Sequence, residues 1–189
     1  MNGTTRNICV YCGSKFGRGE EYRREAEALG RTIARLGMVL VYGGGNVGLM
    51  GVVAGAALAA GGRVVGVIPR ALRDQEAAHG NLHELIVAGD MHERKALMAR
   101  RSDAFAALPG GYGTMEELFE ALAWSQLGFH AKPVGLLNTE GYFDHLIAFL
   151  DEAVERQFLS SGHRSLLRVE ADPESLVRAL ADGFDTGSG

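Results

Sequence analysis

Val39-Leu40-Val41-Tyr42-Gly43-Gly44-Gly45-Asn46-Val47-Gly48-Leu49-Met50-Gly51 reads as a strand, a glycine turn and the opening of a helix. Four consecutive apolar residues suit a strand buried on both faces, and the apolar run from Leu49 to Ala60 has helical length. The same unit recurs along the chain. Further strands are expected at Ile8–Tyr11, Val64–Ile68, Leu85–Val87, Ala104–Leu108 and Val134–Leu137, with a seventh at Leu166–Val169. Helices are expected at Glu20–Leu36, Met91–Arg101, Thr114–Leu127, Tyr142–Gln157 and Glu174–Asp182, the last after Pro173 at a helix start. Strict alternation of the two predicts an α/β chain with a parallel sheet of six or seven strands flanked by helices, a single Rossmann-like domain over 1–189 with flexible ends at 1–6 and 184–189. In such sheets ligands sit beyond the carboxyl ends of the strands, so the loops there carry the functional signal.

Composition narrows the classes. The chain has 189 residues, 47% hydrophobic and 22% charged, enough for one globular core. The longest uncharged stretch, Leu36 to Gly62, is broken by Gly43-Gly44-Gly45-Asn46 into pieces too short to span a bilayer. With no apolar leader after Met1, a cytoplasmic protein away from membranes is expected. A net charge of −4 and no basic run with interleaved aromatics argue against a nucleic-acid partner. Cys9 and Cys12 form a C-x-x-C, but residues three apart on a strand face opposite ways and no second cysteine pair exists; buried or loop thiols in a reducing compartment are the simpler reading. The six histidines show no ligand spacing, so no metal is expected.

Four strand ends stand out. Cys12-Gly13-Ser14 is a small polar turn offering amides and a hydroxyl, equally readable as an ordinary tight turn. The loop Gly43 to Gly51 contains a formal G-x-G-x-x-G, in which Gly44 and Gly45 would let a ligand approach the backbone. A dinucleotide site also wants an acid about 20 residues on. Val64-Val65-Gly66-Val67-Ile68-Pro69-Arg70 has none, so NAD binding is rejected, while Gly48, Gly51 and Gly55 can also be read as packing residues. Pro109-Gly110-Gly111-Tyr112-Gly113-Thr114 gathers free amides and a hydroxyl at a helix start, an anion cradle with Glu116 and Glu117 one turn on. Thr114-Met115-Glu116-Glu117 is also a capping box, in which Glu117 only caps the helix. Both readings stand. Finally, Asp90-Met91-His92-Glu93-Arg94-Lys95 puts two cations near a helix N-terminus, against the dipole, a placement that asks for a reason.

Pro109-Gly110-Gly111-Tyr112-Gly113-Thr114-Met115-Glu116-Glu117 resembles the P-G-G-x-G-T-x-x-E signature of the Lonely Guy family, the cytokinin riboside 5′-monophosphate phosphoribohydrolases, and Gly43 to Gly51 resembles its second glycine loop. Asp90 to Lys95, Ala123 to Gly128 and Lys132 to Asn138 extend the likeness over residues 7 to 160. The resemblance implies hydrolysis of the N-glycosidic bond of a nucleoside 5′-monophosphate, a cytokinin nucleotide or AMP, to free base and ribose 5-phosphate, with no cofactor and as a homodimer. It implies that Arg94 and Glu117 are catalytic. Gly13, Ser14, Gly44, Gly45, Glu76, Arg94, Lys95 and Gly110 through Glu117 (Gly111, Tyr112, Gly113, Thr114, Met115 and Glu116 between them) are the expected substrate-binding set. Ala123 stands where some plant members have a threonine that touches substrate.

Members of the family have also been labelled lysine decarboxylases. Schiff-base chemistry needs a suitable lysine, and the chain has three, Lys15, Lys95 and Lys132, two in polar turns and one beside an arginine on a helix. Glycosidic cleavage instead develops positive charge on the sugar, for which a fixed carboxylate is the natural catalyst. Glu117 would stabilise that charge or activate water, and Glu116 would hold ribose hydroxyls or face solvent. The Arg94 guanidinium, a hydrogen-bond donor rather than a general acid, would hydrogen-bond the departing base or the phosphate. A non-catalytic nucleotide or cofactor carrier of the same fold is the alternative. The helix carrying Leu118, Phe119, Leu122 and Trp124 is more apolar than a half-exposed helix needs, which core burial and a subunit interface would share.

Overall fold

Along the first strand, β1 (Asn7–Tyr11), side chains alternate between two cores. Ile8 and Val10, with Cys12 just beyond, join one; Cys9 and Tyr11 join the other. This period of two, on a sheet covered on both sides, explains why the strands read as unbroken apolar runs. The computed structural model describes residues 5–73 and 80–184.

After β1 the chain continues through α1 (Glu21–Arg35), β2 (Val39–Tyr42), α2 (Gly48–Ala59), β3 (Val64–Pro69) and α3 (Arg70–Arg73). Then come β4 (Glu84–Ala88), α4 (Met91–Arg100), β5 (Ala104–Ala107), α5 (Tyr112–Gln126), β6 (Val134–Leu137), α6 (Asp144–Glu155), α7 (Ser161–Arg164), β7 (Leu167–Glu170) and α8 (Pro173–Asp182). The strands form one sheet in the order β4-β3-β2-β1-β5-β6-β7, every described pairing parallel. Helices α1, α2 and α8 fill one core with Leu29, Ile33, Val53, Ala57 and Leu176. Helices α4, α5 and α6 fill the other with Met98, Leu118, Ala121 and Leu150, around a Tyr11–Phe105 stack with ring centroids 5.9 Å apart. The strand order reverses between β1 and β5, and the crevice at that switch is where an open α/β sheet takes its ligands.

The six expected strands are present to within two residues, and the seventh is real, at Leu167–Glu170. The reading of the helices needs three corrections. Tyr142–Gln157 does not start as one helix: a 3-10 turn at Thr139–Gly141 precedes α6, with Glu140 at φ 50° and Gly141 at φ 69°. Asn138 explains the detour, because its side chain receives the Phe143 amide and donates to Asp144, competing with helical bonding. The short helices α3 and α7 were not foreseen. The third correction, the start of α5, bears on chemistry and is taken up below.

Cys9 and Cys12 are buried on opposite faces and unpaired. Burial, with the Glu117 carboxylate adding to it, pushes the Cys9 thiol up to about 12 and that of Cys12 further still, which suits inert core thiols. Among the described residues no helix is long and apolar enough to cross a membrane, and no three His, Cys, Asp or Glu side chains gather as a metal site.

Candidate active site

Helix α5 begins at Tyr112, two residues earlier than its sequence suggested, with Gly111 as N-cap and no side-chain cap. That shift decides the meaning of Glu117. Thr114 lies inside the first turn rather than at the cap, buried, with its hydroxyl against Gly110. Glu117 therefore caps nothing, and its side chain reaches across to α4. The capping-box reading is wrong.

There the Arg94 Nη1 donates to Glu117 Oε1 at 2.6 Å, and Arg94 Nε donates to the Val67 carbonyl at the end of β3 at 3.1 Å. Both side chains are 10% exposed. Burial raises the Glu117 carboxyl above the ordinary carboxylate range, and the adjoining Arg94 guanidinium pulls it part of the way back. A buried ion pair is poor value for stability, since desolvation offsets most of the attraction, so its presence at the carboxyl edge of the sheet points to chemistry. Neither Glu117 Oε2 nor Arg94 Nη2 has a hydrogen-bond partner among the described residues, and neither is sealed from solvent. One acceptor and one donor thus stay open side by side. Gly43 makes the arginine's position possible: a Cβ there would run into Nη2.

Lys95 forms a second tie between the same helices. Its ammonium donates to Glu116, and to Glu120 at 3.0 Å, with the lysine side chain 10% exposed and that of Glu116 54% exposed. Burial would lower the lysine's pKa, but the bonds to the two carboxylates outweigh it and raise it. This answers the puzzle of two cations early in α4: both face carboxylates of α5. Asp90 caps α4 conventionally, accepting from the Glu93 amide at 2.8 Å, worth about 1 kcal/mol. Glu120 was not foreseen, although its i+4 spacing from Glu116 was a usable signal.

The other expected site residues divide into two groups. Gly13, Ser14, Gly110 and Gly111 line one pocket of about 340 Å³ at the β1/β5 switch, together with Lys15, Phe16, Tyr22, Pro109 and Tyr142. Its rim is laced together: Gly13 N donates to Pro109 O at 3.1 Å, Leu49 N to Gly13 O at 3.0 Å, and the Tyr142 hydroxyl to Gly110 O at 2.8 Å. Tyr112 is 97% exposed at the tip of α5, and a Cβ on Gly111 or Gly113 would meet only open space. The second group turns inward. Gly44, at φ 80°, packs on Ile68, Gly45 is buried, and the Met115 side chain packs against the second core. Gly44 and Met115 thus have packing roles. Gly48 and Gly51 are packing positions too, against Ser14–Lys15 and Asn46, whereas Gly55 has nothing near it and gets no such explanation. Glu76 lies outside the described residues. Tyr142 was missed, since nothing local marks a tyrosine 32 residues on as a partner of Gly110.

Neither tied lysine suits Schiff-base chemistry. Lys95 is held cationic between carboxylates. Burial does lower Lys132, but it donates to Ala99 O at 2.7 Å beside the amino end of β6, away from the glycine loops. Helix α5 buries Leu118, half-buries Leu122 and Trp124, and leaves Phe119 39% exposed, with Leu127 at 65% and Phe129 at 73% just beyond it.

Residues 50–180 match a family model described as "Possible lysine decarboxylase". The chain is 52% identical over 94% of its length to a "Probable cytokinin riboside 5′-monophosphate phosphoribohydrolase" of Oryza sativa subsp. japonica, covering 78% of that protein. It is 49% identical over 93% of its length to a cytokinin riboside 5′-monophosphate phosphoribohydrolase of Arabidopsis thaliana, covering 70% of it. The molybdenum cofactor carrier protein of Chlamydomonas reinhardtii superposes with a TM-score of 0.73 at 25% identity, over 96% of this chain and 99% of that one. The identity and coverage of the first two, on the frame just described, establish that the chain belongs to the Lonely Guy family of cytokinin riboside 5′-monophosphate phosphoribohydrolases.

Proposed function

We propose that the protein hydrolyses the N-glycosidic bond of cytokinin riboside 5′-monophosphates, releasing the free base and ribose 5-phosphate. Relatives about half identical over nearly the whole chain carry that activity in their names, and the observation that supports it here is the buried Arg94–Glu117 pair with one carboxylate oxygen left open. Glu117 Oε2 stands where an acceptor is needed to stabilise an oxocarbenium-like sugar or to orient water. Arg94, fixed by Val67 and Glu117, keeps Nη2 for the departing base. Glu116, occupied with Lys95, acts on the position of α5 rather than on ribose. The glycine loop at Gly110–Gly113 takes the 5′-phosphate, whose binding energy orients the sugar.

The 25%-identical carrier protein favours one other reading, a cofactor carrier that binds without turnover. Incubation with AMP and an N6-substituted analogue separates the two. Stoichiometric free base and ribose 5-phosphate support the hydrolase; tight binding with unchanged ligand supports the carrier. We also propose a homodimer through the surface that exposes Phe119, Leu127 and Phe129. A monomeric mass by light scattering at micromolar concentration contradicts it.

A further inference from the structure

Of the three lysines, two are already engaged, and in a way that makes them poor partners for a phosphate dianion. Lys95 is surrounded by Glu116 and Glu120, so that cluster carries a surplus negative charge. Lys132 donates to a main-chain carbonyl beside the amino end of β6. Arg94, the cation of the proposed catalytic pair, gives Nε to Val67 and Nη1 to Glu117 and keeps only Nη2 open, beside the carboxylate and outside the pocket lining.

Lys15 differs on each count. It has no ion pair or hydrogen bond among the described residues, and it lines the 340 Å³ pocket beside Gly13, Ser14, Gly110 and Gly111. Its main chain is fixed although its side chain is exposed. Gly48, at φ 57°, packs directly against the Ser14–Lys15 peptide, and Gly13 is bonded on one side to Leu49 and on the other to Pro109. The segment carrying Lys15 is therefore clamped between the starts of α2 and α5. Phe16, Tyr22 and Tyr142 also line the pocket, mostly apolar rings that reduce the water around an ion bound there and so strengthen its pairing. Arg94 and Glu117 are not part of this lining.

We propose that Lys15 is the cation that binds the substrate's 5′-phosphoryl group, in the pocket between the Gly13–Gly17 loop and Pro109–Gly111, and that Lys95 serves instead to hold α4 against α5. The inference rests on the hydrolase reading for its substrate, but the binding site itself can be tested apart from turnover.

Calorimetry with inorganic phosphate and with AMP on the full chain, at low salt, compares the parent with Lys15→Gln, Lys15→Arg and Lys95→Met. Lys15→Gln should weaken both ligands about tenfold and flatten the salt dependence of binding, and Lys15→Arg should restore most of the affinity. In kinetics the KM for AMP should rise by the same factor with kcat held within about twofold, and the preference for AMP over adenosine should narrow accordingly. Parental affinity in Lys15→Gln, or a loss that falls on Lys95→Met while Lys15→Gln binds normally, overturns the assignment. Should the parent bind phosphate through Lys15 yet release no adenine, the hydrolase reading fails and the phosphate site stands.

Discussion

The loops Gly43–Gly51 and Pro109–Gly113 both join a strand to a helix at the same edge of one sheet, and they use glycine in opposite ways. In the first, the space beside Gly43, Gly48 and Gly51 is taken by the protein itself: the Arg94 guanidinium, the Ser14–Lys15 peptide and the Asn46 carbonyl. In the second, only Gly110 is filled, by Thr114, while Gly111 and Gly113 look onto open space at a helix start. A glycine-rich motif alone does not separate the two cases. The first loop assembles the site and the second receives the ligand, so substitutions in them should fail differently.

The largest effect is expected one turn into the helix that the open loop begins. Glu117→Gln should lower kcat by about 10²–10⁴-fold, the usual worth of such a carboxylate, while the protein stays folded because the amide oxygen still accepts from Arg94. The parent's acid limb of kcat should lie above the ordinary carboxylate range and vanish in the variant. Stability carries the same signature. Native Glu117 holds its proton more tightly than the unfolded chain does, so its favourable contribution is present below the unfolded pKa and is lost as pH rises through the raised native one. Urea titrations across that interval should show a slope in the parent that the glutamine variant lacks.

In the filled loop the damage should appear in stability. Gly48→Ala needs a left-handed backbone at φ 57° and drives a methyl into the Ser14–Lys15 peptide, a cost of about 2–4 kcal/mol. A urea midpoint unchanged from the parent would remove the distinction between the loops. The smallest effect belongs to Gly113→Ala. A methyl there meets nothing and improves helix propensity, so stability should rise by up to about 1 kcal/mol while the KM for AMP increases several-fold. A gain in stability with unaltered KM would mean that the open face of α5 does not meet substrate.

What the sequence showed and what it hid follow the same division. Period-two apolar runs and strand-end glycines are local, and they located six strands and both loops. The start of α5 was misplaced because Thr114 and Glu117 fit a capping box, a local pattern that the neighbouring helix overrides by offering Arg94 to Glu117. The Lys95–Glu116–Glu120 tie spans 21 and 25 residues and exists only because α4 and α5 cover one face of the sheet. Tyr142 reaches Gly110 by way of the Asn138 turn, which no periodicity announces.

The strand order has a consequence for how the chain is made. β1 is synthesised first yet lies in the middle, paired with β2 on one edge and with β5 on the other. A nascent chain can build β4-β3-β2-β1 as soon as those strands have left the ribosome, but the far edge of β1 then stays bare until Ala104–Ala107 arrives. That bare edge is a template for pairing with another chain. Chains that end between Ala88 and Ala104 should therefore aggregate more readily than the full chain, and the delay falls on the same strand boundary that later opens as the binding crevice.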